Sequence, residues 1–152
     1  MFKHILVPTD GSPLSEAAVR QAVEFAAALG ARLTAFYAKP PYPDARFGES
    51  GFIAPVTPEK FQQFEDRLAE RYLGYARELC EQSCVPYAGL VAVSDMPAEA
   101  ILDAARGCGA DLICMGSHGR KGLRSLLVGS EARKVLTYGR IPVLILRPSL
   151  EE

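Results

Sequence analysis

The sequence predicts an α/β fold in which one doubly wound, mainly parallel sheet carries helices on both faces. Five short apolar segments alternate along the chain with segments in which apolar residues recur every three or four positions. The apolar segments lack polar alternation, which is typical of parallel strands buried on both faces. Neither an internal repeat nor a domain linker interrupts the pattern, so we treat residues 1–152 as a single domain.

The first half of the chain contains two predicted strands, at 4–8 and 32–38. Between them Ser12 and Pro13 begin a helix, which stops at Gly30. Residues 39–58 hold five prolines and two glycines, and an irregular segment of this length is usually functional or disordered. A long amphipathic helix follows, whose apolar positions recur at steps of three and four: Phe61, Phe64, Leu68, Tyr72, Tyr75 and Leu79.

The second half continues the alternation with three strands and two helices. Ser94 or Asp95 caps a helix that is entered at Pro97, and Gly107 and Gly109 end it. The remaining elements are strands at 87–93, 112–115 and 142–146 and a helix at 131–138. A Rossmann-like sheet built from five such strands has the order 3-2-1-4-5, which makes the first and fourth strands neighbours.

Composition excludes several classes of function. The chain has 17 Lys and Arg against 18 Asp and Glu, a net charge of −1 that argues against a general nucleic-acid or membrane-surface binder. No apolar run approaches the roughly 20 residues that span a bilayer, and we expect no signal peptide at the start. The cysteines are expected to be reduced thiols of a cytoplasmic protein, mostly small core residues: Cys80, Cys84, Cys108 and Cys114.

A glycine-rich, basic connection from 116 to 130 links the fourth strand to the last helix. It contains Arg120, Lys121 and Arg124 and no acidic residue. Free backbone N–H groups and the dipole of the following helix favour an anion at such a connection. Because ligands of doubly wound folds bind outside the carboxyl ends of strands, we expect this loop and residues 8–12 to form a site for a phosphorylated ligand.

These residues resemble the universal stress protein A family over nearly the whole chain. The similarity lies in residues 5–12, 111–119 and 142–145, and in a glycine motif, G-x2-G-x9-G-[ST], that marks the nucleotide-binding members of the family. Four residues match the spacing of the motif: Gly116, Gly119, Gly129 and Ser130. The resemblance therefore implies the ATP-binding branch of the family. The spacing agrees with the chemistry, because glycines let the backbone approach a ligand and a helix N-terminus suits phosphate oxygens.

The resemblance also implies a set of nucleotide contacts. Adenine and ribose would lie beside Pro8, Thr9, Asp10, Ala38 and Met115. The loop residues His118, Gly119 and Arg120 would join the motif residues near the phosphates. The chain departs from the family at Glu131, where a small apolar residue is usual. A carboxylate in the first helical turn suits the dipole but would repel a triphosphate if it pointed inward.

The leading interpretation is a cytoplasmic, stress-associated regulatory protein that binds ATP, with ADP and AMP as alternatives and Mg²⁺ or Mn²⁺ carried by the phosphates. A slow ATP hydrolase is a second hypothesis, with Asp10 and His118 as the candidate bases. A nucleotide-free dimerisation or scaffold module is a third. We expect a homodimer through an apolar edge strand, as the resemblance also implies, and an unidentified protein partner. The residues of that strand are Val143, Leu144, Ile145 and Leu146.

Overall fold

The computed structural model describes residues 1–43, 56–118 and 128–147. Five strands and four helices alternate along these ranges, as the sequence pattern predicts: β1 (His4–Pro8), α1 (Pro13–Leu29), β2 (Arg32–Lys39), α2 (Pro58–Gln82), β3 (Tyr87–Val93), α3 (Pro97–Cys108), β4 (Leu112–Gly116), α4 (Ser130–Tyr138) and β5 (Val143–Leu146). Most of the predicted irregular segment 39–58 lies outside the described residues. None of the four helices in these ranges has the length and apolarity that a membrane crossing requires.

The five strands form one parallel sheet of order β3-β2-β1-β4-β5, which confirms the predicted order 3-2-1-4-5. β1 is central, with His4 to Pro8 paired to Arg32 to Phe36 of β2. On its other side Ile5 and Leu6 pair with Leu112 and Ile113 of β4. The carboxyl ends of β1 and β4 are therefore adjacent, while β3 and β5 lie at the two edges of the sheet.

Alternate residues of the inner strands bury two apolar layers, one on each face of the sheet. On one face Ile5, Val7 and Cys114 pack against α1 and α2. On the other face Leu6, Ile113 and Met115 pack against α3 and α4. The inner strands are mostly apolar because both of their faces are covered, as expected of a parallel sheet.

α3 begins at Pro97 and ends before Gly109, as predicted, but its N-cap and the place of Gly107 differ from the prediction. The helix is preceded by Met96 as its N-cap, and no side chain of the cap residue bonds its first turn, so neither Ser94 nor Asp95 is the cap. Ser94 Oγ instead accepts the N–H of Met96 at 3.0 Å. Gly107 lies within the helix, and Gly109 ends it in the left-handed conformation with φ +74°. The first turn of α3 therefore takes its acceptors from elsewhere in the molecule.

The four cysteines are free thiols, but only two are core residues. Cys80 and Cys114 are fully buried, and burial raises their pKa values to about 11 and about 12. Cys108 is half-buried. Cys84 is exposed and lies beyond the end of α2 with φ +54°, so it is not the core residue that was predicted.

The amino edge of the sheet is held by one carboxylate. Asp111 accepts the N–H groups of Lys3 at 2.9 Å and His4 at 3.0 Å. Burial opposes ionisation of this carboxyl, yet the two N–H groups hold its pKa below the usual value. His4 is buried and bonds Thr34 Oγ1 through Nε2 at 2.7 Å, and burial together with the nearby Arg32 lowers its pKa. This histidine is a structural residue at the end of the sheet opposite the candidate site.

Candidate functional site

The two predicted halves of the site meet at the carboxyl edge of the sheet. β1 ends at Pro8 and β4 ends at Gly116, and the two strands are hydrogen-bonded neighbours. The first turn of α1 lies beside the end of β4, since a Cβ at Gly116 would lie 3.6 Å from Ala18 Cβ and 3.8 Å from the Leu14 carbonyl oxygen. The residues that follow β1 and β4 therefore share one local environment.

A network of short polar side chains fixes the turn after β1. Thr9 donates its N–H to the Phe36 carbonyl at 2.8 Å, which extends the pairing of β1 with β2. Asp10 Oδ1 accepts the N–H of Ser12 at 3.0 Å, and Ser12 Oγ caps α1 by accepting the N–H of Ser15. Ser15 Oγ bonds both Thr9 Oγ1 at 2.9 Å and the N–H of Asp10 at 3.1 Å. The turn is thus rigid before any ligand binds.

Ser15 is the member of this network that the sequence reasoning missed. It is buried, and its hydroxyl joins the turn to the first helix. The spacing of Ser12 and Ser15, three residues apart at a helix start, is a signal that could have identified it, since side chains at these positions commonly satisfy the free N–H groups of a first turn.

Gly11 lies at the centre of the turn, in contact with α2. Its φ of +73° is in the left-handed region, where a Cβ is strained. A Cβ at this position would also overlap the ring of Tyr72, at Cε1 and Cζ. Tyr72 is 4% exposed and stands edge-on to Tyr37, with ring centroids 5.1 Å apart. Glycine is therefore the residue that allows the turn and α2 to pack together.

A buried carboxylate anchors α2 against the end of β2. Glu65 is 6% exposed, and its Oε2 accepts the hydroxyl of Tyr37 at 2.8 Å. One residue further along the helix, Asp66 pairs with Lys39 at the end of β2. No sequence motif connects these residues, which lie about 30 positions apart on separate elements, so the sequence reasoning did not find them. They hold Tyr72 against the turn.

Three of the residues expected to border the base lie on the same face of the sheet. Met115 is 6% exposed and packs in the core under α3 and α4. Ala38 is half-buried on the same face of the sheet, and Pro8 shares that face by alternation from Leu6. Pro8, Ala38 and Met115 thus form an apolar surface at the carboxyl edge, on the face that α3 and α4 cover.

Gly129 closes the loop that begins at Gly116. Its N–H donates to the Ser117 carbonyl at 2.6 Å, and the Ser117 N–H donates to the Leu146 carbonyl at 3.0 Å. A Cβ at Gly129 would lie only 2.9 Å from the Ser117 oxygen and 3.4 Å from His118 Cα. The N–H of Gly129 is therefore already bonded within the protein, to Ser117. Its role is to hold the start of α4 against the end of β4.

Gly116, unlike Gly129, has room for a Cβ. A Cβ at Gly116 would find its nearest neighbour, the His118 carbonyl oxygen, at 3.5 Å, which is ordinary van der Waals contact. The described residues therefore accommodate a Cβ at Gly116, which would pack between the end of β4 and the first turn of α1.

The start of α4 keeps three N–H groups free of intrahelical partners, as every α-helix does. These belong to Ser130, Glu131 and Ala132, since Gly129 is the N-cap and no side chain of the cap residue bonds the turn. Ser130 is exposed at the first helical position. Together with the dipole of the helix, these groups suit an anion.

Glu131 points its carboxylate at the first turn of α3. Its Oε2 accepts the N–H of Ala98 in the first turn of α3 at 3.0 Å, and its Oε1 pairs with Lys134 at 3.1 Å. The carboxylate therefore lies between the N-termini of α3 and α4. This contact joins two elements 33 residues apart, and it supplies the acceptor that the N-cap of α3 lacks.

The two candidate bases both have protein partners. Asp10 holds the turn through Ser12, and His118 Nδ1 bonds Ser117 Oγ at 3.1 Å. His118 Nε2 is buried, and among the described residues it has no hydrogen-bond partner. Two further predicted site residues, Gly119 and Arg120, lie outside the described residues.

A cavity of about 330 Å³ opens elsewhere, between β3 and α3. It is lined by Phe36, Leu90 and Ala92 of the sheet and by Glu99, Ala100 and Asp103 of the helix, among others. None of the predicted nucleotide contacts lines it. The candidate site is therefore identified by its polar groups at the carboxyl edge, and not by the volume of this cavity.

The geometry agrees with the comparison of the chain with known proteins. A family model described as the universal stress protein family matches residues 1–147. The chain belongs to the universal stress protein family. A universal stress protein of Thermus aquaticus is 37% identical over 147 residues, which cover 97% of this chain and 100% of the relative. A universal stress protein of Mycobacterium tuberculosis is 34% identical over 95% of this chain, which spans 45% of that longer relative.

Solved structures of universal stress proteins share the fold, and some hold adenine nucleotides. A complex with cAMP is 25% identical, with a TM-score of 0.71 over 97% of this chain and 99% of that one. An Archaeoglobus fulgidus protein in complex with dAMP is 19% identical, with a TM-score of 0.66 over 97% and 98% of the two chains. An Arabidopsis thaliana protein with AMP bound is 13% identical, with a TM-score of 0.67 over 97% and 93%. At these lower identities the last two show the fold alone.

Proposed function

We propose that this universal stress protein binds an adenine nucleotide across the carboxyl ends of β1 and β4 and acts as a cytoplasmic regulatory protein in a stress response. The base and ribose lie against Pro8, Thr9, Asp10, Ala38 and Met115. The phosphates lie at the start of α4, where Ser130 contributes a hydroxyl. ATP carrying Mg²⁺ or Mn²⁺ is the ligand that the glycine motif implies, with ADP and AMP as alternatives.

One observation carries the proposal. The hydrogen bond from Gly129 to Ser117 brings the two ends of the glycine motif together beside the rigid turn at 9–12. The N–H groups of the first turn of α4 then lie at the same edge as the apolar surface of Pro8, Ala38 and Met115. A flat apolar group joined to an anion, as in a nucleotide, matches this pairing. The cAMP complex of a family member supports the choice of adenine.

Gly116→Ala is the sharpest test of the nucleotide, because the protein tolerates a Cβ there. We expect unfolding stability to change by less than about 0.5 kcal/mol, as is usual for unhindered substitutions. Nucleotide affinity should fall about tenfold or more, since the added methyl group would lie beside the first turn of α1, next to the turn at 9–12 that the proposed ligand contacts. Titration calorimetry with AMP, ADP and ATP in the presence of Mg²⁺ measures the affinity, and thermal unfolding measures the stability.

Gly107→Ala is the matched control, because a Cβ at Gly107 meets nothing within 4 Å and the residue lies on α3 away from the motif. Its nucleotide affinity should equal that of the wild type. Absence of binding by the wild-type chain, with no nucleotide released on denaturing fresh protein, would reject the proposal in favour of a nucleotide-free dimerisation or scaffold module. Equal affinities of the two variants would reject the predicted position of the ligand.

We further propose that the protein forms a homodimer through β5 and regulates an unidentified protein partner. β5 is an edge strand of four apolar residues, each half-buried: Val143, Leu144, Ile145 and Leu146. An apolar edge with unpaired N–H and C=O groups favours pairing with a second chain. We expect light scattering after size exclusion at about ten micromolar to give twice the mass of the chain. A monomer mass at this concentration would contradict the dimer.

A further inference from the structure

Glu131 occupies a position where two helix N-termini meet. α3 and α4 both begin at the carboxyl edge of the sheet, since each follows a parallel strand. The carboxylate belongs to the second residue of α4, and it accepts the N–H of Ala98, the second residue of α3. It therefore acts as an anion built into the protein at the edge where the proposed ligand would place its own anion.

The charges at this position almost cancel before a ligand arrives. A helix N-terminus carries about half a positive charge, so the two termini together offset about one negative charge. Glu131 supplies that charge, while Lys134 compensates it only in part, because its ammonium group lies on an exposed side chain. Little positive potential from the helices is therefore left for a strongly charged ligand.

We propose that Glu131 is a specificity-determining residue that favours adenosine monophosphates, linear or cyclic, over di- and triphosphates. This inference rests on the proposed nucleotide site, and within that site it prefers the AMP alternative to the ATP that the glycine motif implies. A monophosphate places one or two negative charges at the start of α4, whereas ATP places three or four there. The repulsion from a fixed carboxylate grows with that charge. The hydrogen bond to Ala98 favours the position of the carboxylate between the two helix N-termini.

The test compares the affinities for AMP and ATP in variants of the full chain, measured by calorimetry without divalent cations and at low salt. Glu131→Gln keeps an oxygen that can accept the Ala98 N–H but removes the charge. We expect the ratio of the dissociation constants, ATP over AMP, to fall about five- to tenfold in this variant. Glu131→Asp, which keeps the charge, should retain the ratio of the wild type. Raising the salt to about 0.5 M should reduce the difference between the variants.

Glu81→Gln is the control for net charge, since Glu81 is an exposed acid near the end of α2, at the opposite end of the molecule. It should leave the ratio unchanged. An unchanged ratio in Glu131→Gln, with both nucleotides still bound, would overturn the role of Glu131 and leave the proposed function standing. Failure of every variant and of the wild type to bind either nucleotide would instead refute the proposed function, and this inference with it. A ratio that falls equally in Glu131→Asp and in Glu131→Gln would also overturn it, because the charge is then not the cause.

Discussion

Gly129→Ala is expected to weaken nucleotide binding about ten- to a hundredfold. The added Cβ would lie 2.9 Å from the Ser117 carbonyl oxygen, so the short hydrogen bond between Gly129 and Ser117 cannot persist unchanged. Ser117 cannot move to relieve the contact, because its own N–H is bonded to Leu146 in β5. The start of α4 must therefore shift away from the end of β4. One or two hydrogen bonds to a charged phosphate are then lost, which accounts for the expected factor.

Gly139→Ala is a closely matched control at the other end of the same helix. Gly139 donates its N–H to the Val135 carbonyl, and a Cβ at Gly139 would lie 2.6 Å from that same oxygen. In both variants the new Cβ therefore crowds the oxygen that accepts the N–H of the substituted residue. Both variants should lose about 1–3 kcal/mol of stability, the usual cost of such crowding. Only Gly129→Ala should lose affinity. Calorimetry and denaturant unfolding on both variants separate the two effects.

Equal loss of affinity in the two variants would mean that general destabilisation, and not the position of the start of α4, controls binding. Retained affinity in Gly129→Ala would mean that the ligand does not depend on the closed loop. Either result would argue against the proposed position of the phosphates at Ser130 and the two residues that follow it.

The fold could be predicted from the sequence because each strand carries its own local signal. Segments such as Ile5 to Val7 and Leu112 to Met115 are apolar without alternation, which indicates burial on both faces. The helices between them have periodic apolar stripes and glycine stops, as at Gly30. The start of α3 at Pro97 was predicted as well, but its cap was not, because the first turn is capped by a carboxylate from α4 and not by a neighbouring side chain.

The candidate site was only partly predictable for a related reason. Pro8 to Asp10 and the spaced glycines lie in short stretches of sequence, so their pattern can be recognised. The contacts that hold them join residues far apart in the chain, such as Tyr37 with Glu65, Gly11 with Tyr72 and Glu131 with Ala98. Nothing in the local sequence of Glu131 tells which way its carboxylate points. That direction places the carboxylate between the N-termini of α3 and α4, and only the structure shows it.

The rigid turn after β1 depends on α2 as much as on its own residues. Gly11→Ala is expected to destabilise the protein by about 3 kcal/mol. A left-handed φ of +73° costs an alanine about 1 kcal/mol relative to glycine. The remainder comes from the Tyr72 ring, which the new methyl group overlaps. The ring has little freedom to move, since it packs on Tyr37 and Ala69 and has the Arg71 guanidinium 5.3 Å from its centre.

A double-mutant cycle with Tyr72→Ala separates the two causes. Tyr72→Ala alone removes a buried ring and should cost about 3 kcal/mol. In that background Gly11→Ala should cost only about 1 kcal/mol, because the overlap is gone and the backbone strain alone remains. The coupling of about 2 kcal/mol is measured by urea unfolding of the four proteins. Strict additivity would mean that the ring moves aside freely, and that Gly11 is required by the backbone of the turn and not by its contact with α2.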